Sequence, residues 1–359
     1  MDSSTYAIEE PEPHAPQWYD WKWQLKNRIT SVEQLEKVIR LTDKEKQDIG
    51  YCLNLFRMAI PPYYASLMDP VDPRCPIRRQ AVPAIDETHV LPCELADPLD
   101  EERESPVKNI VHRYPDRVLF LVTRTCSMYC RHCTRRRMVG EEDHCISEAE
   151  ISAAAGYIEK NPQIRDVLIS GGDPLTMGDS KLEGIVSRLR AIAHVEIIRI
   201  GTRVPAVLPM RITPELLSML RKYHPVWINT HFNHPGELTP EAVKACGDIV
   251  DAGIPLGNQS VLLRGINDDA DTMKELLYQC DLSQGLGHFR TRVEKGVEII
   301  QALTGNISGY AVPRFVIDAP HGGGKVPVNP EYVLEMNDEE VVMRNYAGRR
   351  YTYPQPQGL

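Results

Sequence analysis

Short, continuous apolar runs recur through the middle of this chain, and their spacing restricts the fold more than any other feature. VLFLVT (118–123), DVLIS (166–170), EIIRIGT (196–202), VWINTHF (226–232) and PLGNQSVLL (255–263) each have the length and density of a strand buried on both faces. Between them lie amphipathic stretches with recognisable starts. Ser147 with Glu150 and Ser180 with Glu183 fit the capping box, while Thr213-Pro214 and Thr239-Pro240 place a cap before proline at the first helical position. After the first crossover the strands begin roughly 30 residues apart, the rhythm of repeated βαβ units. Five such units favour a barrel or partial barrel over an open doubly wound sheet. In such barrels the chemistry gathers in the loops after the strands' C-terminal ends.

The flanks differ. Residues 1–16 are acidic and proline-rich and read as a disordered tail. Residues 17–110 form an N-terminal segment: WYDWKWQLKNRI carries three of the four tryptophans, TSVEQLEKVIRLTDKEKQDI has helical periodicity with Thr30 or Ser31 as cap, and 61–106 is an extended, proline-rich wrap. The barrel is expected over 111–300, followed by a C-terminal segment, 301–359. A net charge of −9 argues against a nucleic-acid binder acting through broad positive charge. No run approaches the roughly 18 apolar residues of a membrane span, and the N-terminus is unlike a secretory signal. A soluble, cytoplasmic chain with no membrane or nucleic-acid partner is the expectation, and there nine cysteines call for a search for metal spacing rather than disulfides.

That spacing follows the first strand. Cys126, Cys130 and Cys133 form CxxxCxxC within TRTCSMYCRHCTRRR, whereas Cys52, Cys75, Cys93, Cys145, Cys246 and Cys280 have no ligand spacing. Three thiolates can hold an iron–sulfur cube with one iron left open, or a zinc ion if a fourth ligand such as adjacent His132 joins them. A second reactive element is DAPHGGGKVP (318–327). It is not a phosphate-binding P-loop, because Ala319 stands where glycine is required and Val326 follows the lysine. A mobile Lys325 behind three glycines suits a Schiff-base lysine for pyridoxal phosphate; the alternative is a glycine-rich surface turn.

Taken together, these runs resemble a known family. CxxxCxxC with Tyr129 before the middle cysteine, followed by the turn Ser170-Gly171-Gly172-Asp173-Pro174 after the second strand, is similar to the radical S-adenosylmethionine superfamily. CSMYCRHCTRR, SGGDPL, CDLSQGLGHFRT and DAPHGGGK, with the tryptophan-rich stretch and PYYASLMDP, resemble the lysine 2,3-aminomutase family over most of 16–350. The resemblance implies a partial (β/α)6 TIM-like barrel of the radical S-adenosylmethionine kind, and migration of an α-amino group to the β-carbon, from L-lysine to L-β-lysine. It implies a [4Fe–4S] cluster on Cys126, Cys130 and Cys133, and S-adenosylmethionine near Gly171, Gly172 and Asp173, with His231 and Gln259 as further contacts. Lys325 would hold pyridoxal 5′-phosphate as a Schiff base, with Arg113 and Arg117, placed before the first strand, anchoring its phosphate. Arg135 would take the substrate carboxylate, and Asp281 and Asp318 the distal ammonium. A flavodoxin or ferredoxin would donate the electron, and the chain would form a homo-oligomer.

Two departures accompany the resemblance. The family's inter-subunit zinc site has no counterpart, since Asp269 stands at its first position and no cysteine follows Cys280. The chain also skips roughly a dozen residues after LLRGIND, leaving only 12 between Leu263 and Leu276, near the minimum for a βαβ crossover. The sixth unit, near 268–280, is therefore expected to be compressed. The alternatives are an aminomutase for another amino acid or a protein-bound lysine, and an inactive barrel scaffold.

Overall fold

The computed structural model describes residues 16–90, 94–139, 145–274, 292–305, 312–319, 324–337, 339–345 and 347–354. Its centre is a six-stranded sheet in sequence order: β1 (Ile110–Tyr114), β2 (Arg117–Thr123), β3 (Asp166–Gly171), β4 (Ile197–Gly201), β5 (Val226–Thr230) and β6 (Leu256–Asn258). β2 to β6 are parallel, and β1 is an antiparallel partner turned back onto β2. The five apolar runs are thus β2 to β6. His112, Arg113 and Tyr114, expected ahead of the first strand, lie on β1 instead, and Arg117 opens β2.

Alternation along the strands divides the two faces. Val118, Phe120, Val122, Val167, Ile169, Ile198, Ile200, Val226 and Ile228 are almost fully buried in the main core. Leu119, Leu168, Ser170, Arg199, Gly201 and Asn229, at the intervening positions, line an internal cavity. Crossover helices Glu148–Glu159, Asp179–Arg190, Pro214–Arg221 and Pro240–Asp251 link the parallel strands. Ser147, Thr213 and Thr239 cap three of them as expected. The fourth differs: Gly178 is the N-cap and the helix starts at Asp179, which puts Ser180 inside it.

β6 is shorter than its apolar run. Beyond Asn258, side chains take over from the ladder: Asn258 and Ser260 bond the Phe232 carbonyl, and Asn233 Oδ1 accepts from Val261 N–H. Among the described residues no strand closes the sheet from β6 to β1. The compressed sixth unit and Asp281 fall largely in 275–291, outside the described residues.

The N-terminal segment packs through its tryptophans. Trp18 is buried, and Trp21 lies 4.5 Å from the Arg211 guanidinium, a cation–π contact. Periodicity suggested one helix after Ser31. Two form instead: Val32–Leu35 capped by Ser31, then Asp43–Leu53, which starts afresh at a capping box of Thr42 and Glu45. The wrap over 61–106 is less extended than expected and holds short helical turns at Pro62–Ala65, Pro76–Ala81 and Ile85–Thr88. At the other end, β7 (Val316–Ala319) and β8 (Gly324–Pro327) form a hairpin, and β9 (Val333–Met336), β10 (Glu340–Arg344) and β11 (Arg350–Pro354) a small antiparallel sheet. No described helix is long and apolar enough to cross a membrane.

Two glycines set the junction between barrel and site. Gly171 has φ +122°, and a Cβ there would meet Thr123 O at 2.4 Å; a Cβ on Gly172 would meet Thr125 O at 2.4 Å. Both contacts are backbone, so a side chain can be accommodated only by moving the chain that follows β2. Gly171→Ala is expected to cost about 2 kcal/mol or more, seen as a lower urea midpoint, and to reduce iron uptake by the displaced cysteine loop.

Candidate active site

The loop after β2 carries the three cysteines and is held mainly by partners distant in sequence. Arg28 Nη1 donates to Cys126 O at 2.6 Å, Tyr129 N to Ala59 O at 3.2 Å, and Arg131 N to Gln80 O at 3.0 Å. Beneath it, fully buried Glu87 accepts from Arg131 Nη2 at 2.6 Å and from Arg136 Nη1 at 2.9 Å. Arg136 also lies 3.9 Å from the Phe56 ring centroid. The wrapping segment therefore supplies the bed on which the cysteine loop rests. Arg135-Arg136-Arg137 is not a solvated basic run: Arg135 forks onto Glu101 through Nε at 2.9 Å and Nη2 at 2.8 Å, and Arg137 pairs with Asp97 at 2.8 Å.

On the opposite side, the turn after β3 ties into the same loop. Asp173 N donates to Thr125 O at 2.9 Å. Its buried carboxylate accepts from Leu175 N at 3.0 Å, Thr202 Oγ1 at 2.7 Å and Arg203 N at 2.8 Å. Burial raises its pKa, an effect these hydrogen bonds oppose. Asp173, expected as a cofactor contact, lines the cavity, and both its carboxylate oxygens also brace the turns after β3 and β4.

Arg203 is among the residues that sequence reasoning missed. Nearly buried, it donates from Nη1 to Cys130 Sγ at 2.8 Å, from Nη2 to Gln80 Oε1 at 2.5 Å and Glu237 Oε1 at 2.7 Å, and from Nε to His231 O at 3.3 Å. Glu101 and Glu87 were also missed. A lone carboxylate whose partner lies 34 or 44 positions away leaves no local pattern.

These elements enclose a cavity of about 620 Å³, within the usual range for cofactor and substrate sites. Cys126, Cys130, Cys133, Gly171, Gly172 and Asp173 line it, together with Arg113, Arg117, Arg135, His231, Gln259 and Lys325. Two of the residues singled out in the sequence are not among them. Asp281 lies outside the described residues. Asp318 is placed only by backbone register, opposite Lys325 in the β7–β8 hairpin. Lys325 itself is on β8 rather than in a loose glycine turn, and its N–H donates to Tyr114 Oη at 3.2 Å.

The donor set fits the groups that the sequence suggests. Cys126, Cys130 and Cys133 are free thiols. Desolvation, followed by the neighbouring sulfurs, pushes Cys126 well above the ordinary thiol range, while desolvation and Cys130 push Cys133 up to about 11. Such thiols become thiolates when a cationic centre takes them as ligands. Among the described residues, no three His, Cys, Asp or Glu side chains converge on one metal ion. The thiolates of an iron–sulfur cube bind separate irons and need not converge on one ion. Near β1, Arg113 donates from Nη2 to Leu99 O and keeps a buried Nε with no partner among the described residues, a donor suited to an anion. Arg117 is half-exposed and bonded to Asp116 at 2.9 Å. His132 Nδ1 is likewise buried without a partner among the described residues.

Two models of known families match the chain: one described as the radical SAM superfamily over residues 120–277, and one described as lysine-2,3-aminomutase over 300–359. An L-lysine 2,3-aminomutase of Fusobacterium nucleatum is 57% identical over 354 residues, covering 95% of this chain and 83% of that protein. The L-lysine 2,3-aminomutase of Clostridium subterminale is 55% identical, with 94% of this chain and 85% of the relative covered. A glutamate 2,3-aminomutase of Clostridioides difficile is 46% identical over 92% of this chain and 82% of its own.

Site electrostatics carry a pH signature. Desolvation first, then the positive charges of Arg203, Arg135 and Lys325, depress His231 from 6.5 to about 4. His132 is lowered well below 6.5 by burial and Arg203. Between about 4 and 6.5 the unfolded chain binds more protons at these histidines than the folded one, so stability rises with pH in that window. The cofactor-free chain is expected to lose urea resistance as pH falls from 6.5 towards 4, and His231→Gln to flatten that slope.

Proposed function

Because the chain belongs to the lysine 2,3-aminomutase family of radical SAM enzymes, we propose that it moves the α-amino group of L-lysine to the β-carbon, giving L-β-lysine. The observation that carries this reading is the single cavity bordered by Cys126, Cys130, Cys133, Arg113, Arg135 and Lys325. Bound there, a [4Fe–4S] cluster with S-adenosylmethionine supplies a carbon radical able to remove a hydrogen atom, and pyridoxal 5′-phosphate supplies the carbonyl that carries the migrating nitrogen.

The residues divide the remaining work. Cys126, Cys130 and Cys133 hold the cluster. Gly171, Gly172, His231 and Gln259 border the space for S-adenosylmethionine, with Asp173 fixing the turn behind them. Lys325 presents its amine to pyridoxal phosphate, and Arg113 and Arg117 hold the phosphate, Arg113 through its unpartnered Nε. Arg135 receives the substrate carboxylate, its guanidinium oriented by Glu101. Asp318, opposite Lys325 by register, and Asp281 neutralise the distal ammonium. Two acidic residues there favour lysine over glutamate, whose side-chain carboxylate they would repel. Positioning and exclusion of water are what the barrel contributes to so reactive a step. We further propose a low-potential one-electron donor of the flavodoxin or ferredoxin kind, and a homo-oligomer.

Anaerobic protein reconstituted with iron, sulfide and pyridoxal phosphate, then supplied with dithionite and S-adenosylmethionine, should convert L-lysine to β-lysine and leave L-glutamate unchanged. Lys325→Ala should abolish turnover and the visible absorbance of bound pyridoxal phosphate while keeping its iron. Absence of β-lysine from cluster-loaded wild-type protein overturns the substrate assignment, and turnover of glutamate replaces it.

A further inference from the structure

Arg203 is an unusual buried cation. One edge of its guanidinium is neutralised in the ordinary way: Nη2 donates to Glu237 Oε1 at 2.7 Å, and Tyr64 Oη donates to the same oxygen at 2.7 Å. Glu237 Oε2 is held by the backbone N–H groups of Asn233 at 2.6 Å and His234 at 3.1 Å. The other edge faces sulfur, with Nη1 2.8 Å from Cys130 Sγ. A neutral thiol is a weak acceptor, and burying a charged N–H against one gains little. A thiolate is a strong acceptor, so the contact makes physical sense for a metal-bound Cys130. The geometry is also fixed from behind, because Arg203 N donates to Asp173 Oδ2 at 2.8 Å.

We propose that Arg203 tunes the iron–sulfur cluster by donating a charged hydrogen bond to the ligating sulfur of Cys130. This rests on the reading of Cys126, Cys130 and Cys133 as cluster ligands. Reduction adds one electron from an external low-potential donor, makes the cluster more negative by one unit and moves no proton. A cation on a ligand sulfur stabilises that reduced state more than the oxidised one, which raises the potential; hydrogen bonds to sulfur and local charge are established determinants of this quantity. Arg203 is a positioning residue. It acts through the Cys130 sulfur, and its partners Gln80, Glu237 and the His231 carbonyl lock it in place.

The test is a mediator titration of reconstituted full-length protein, with the reduced cluster read by electron paramagnetic resonance and iron per chain measured in parallel. At the potential where half of the wild-type clusters are reduced, Arg203→Gln should lower the reduced-to-oxidised ratio about tenfold, or ~59 mV for one electron. Arg203→Lys keeps the charge that Glu237 needs but cannot reach all four acceptors, and should fall between the two. It also decides the question if the glutamine variant does not retain its cluster. Midpoints equal to wild type in iron-replete variants overturn the proposal and assign Arg203 to packing alone. Wild-type protein that binds no cluster overturns the reading of the cysteines instead.

Discussion

One buried carboxylate holds the reactive end of this barrel together. Asp173 accepts hydrogen bonds from the turn it begins and from Thr202 and Arg203 after the next strand, while its own N–H reaches back to Thr125 beside the cysteines. Three successive strand ends are thereby fixed relative to one another. The arrangement needs the backbones to approach closely, and Gly171 and Gly172 permit it because any Cβ would occupy the space of a carbonyl. A barrel that places chemistry in its loops must give those loops the rigidity that strands receive from their ladders.

A second constraint is charge. The whole chain is acidic, yet Arg113, Arg117, Arg135, Arg199 and Arg203 all line its cavity. Such density is tolerable because several have a built-in carboxylate partner: Glu101 for Arg135, Asp166 for Arg199, Glu237 for Arg203. Buried pairs of this kind add little net stability, since desolvation offsets most of the attraction. What they provide is direction. Each carboxylate fixes the orientation of the planar guanidinium it pairs with.

Much of the scaffold was legible in the sequence, and little of this bracing was. The parallel strands announce themselves as apolar runs, and Ser147, Thr213 and Thr239 as caps, because these signals are local. Ser180 misled because Gly178 and Asp179 begin the helix two residues earlier, without any side-chain cap. β1 escaped notice since only Ile110 and Val111 of its five residues are buried. The cysteines and Lys325 could be found by spacing and motif. Glu87, Glu101 and Arg203 could not, because each acts on a partner 34 or more positions away and is chemically ordinary by itself.

The two reactive elements lie far apart in the chain. Among the described residues, the contacts to the cysteine loop given above, from Arg28 to Arg203, and the carboxylate that pairs with Arg203, lie at or before Glu237. Lys325 arrives much later, on a hairpin whose entering Phe315 packs against Gly296. During synthesis, then, the bed for the metal centre is complete in sequence before the amine-bearing hairpin leaves the ribosome. Order of emergence thus separates two elements that the finished cavity brings together: the cysteine loop and its described bed come first, and the wall that carries Lys325 follows.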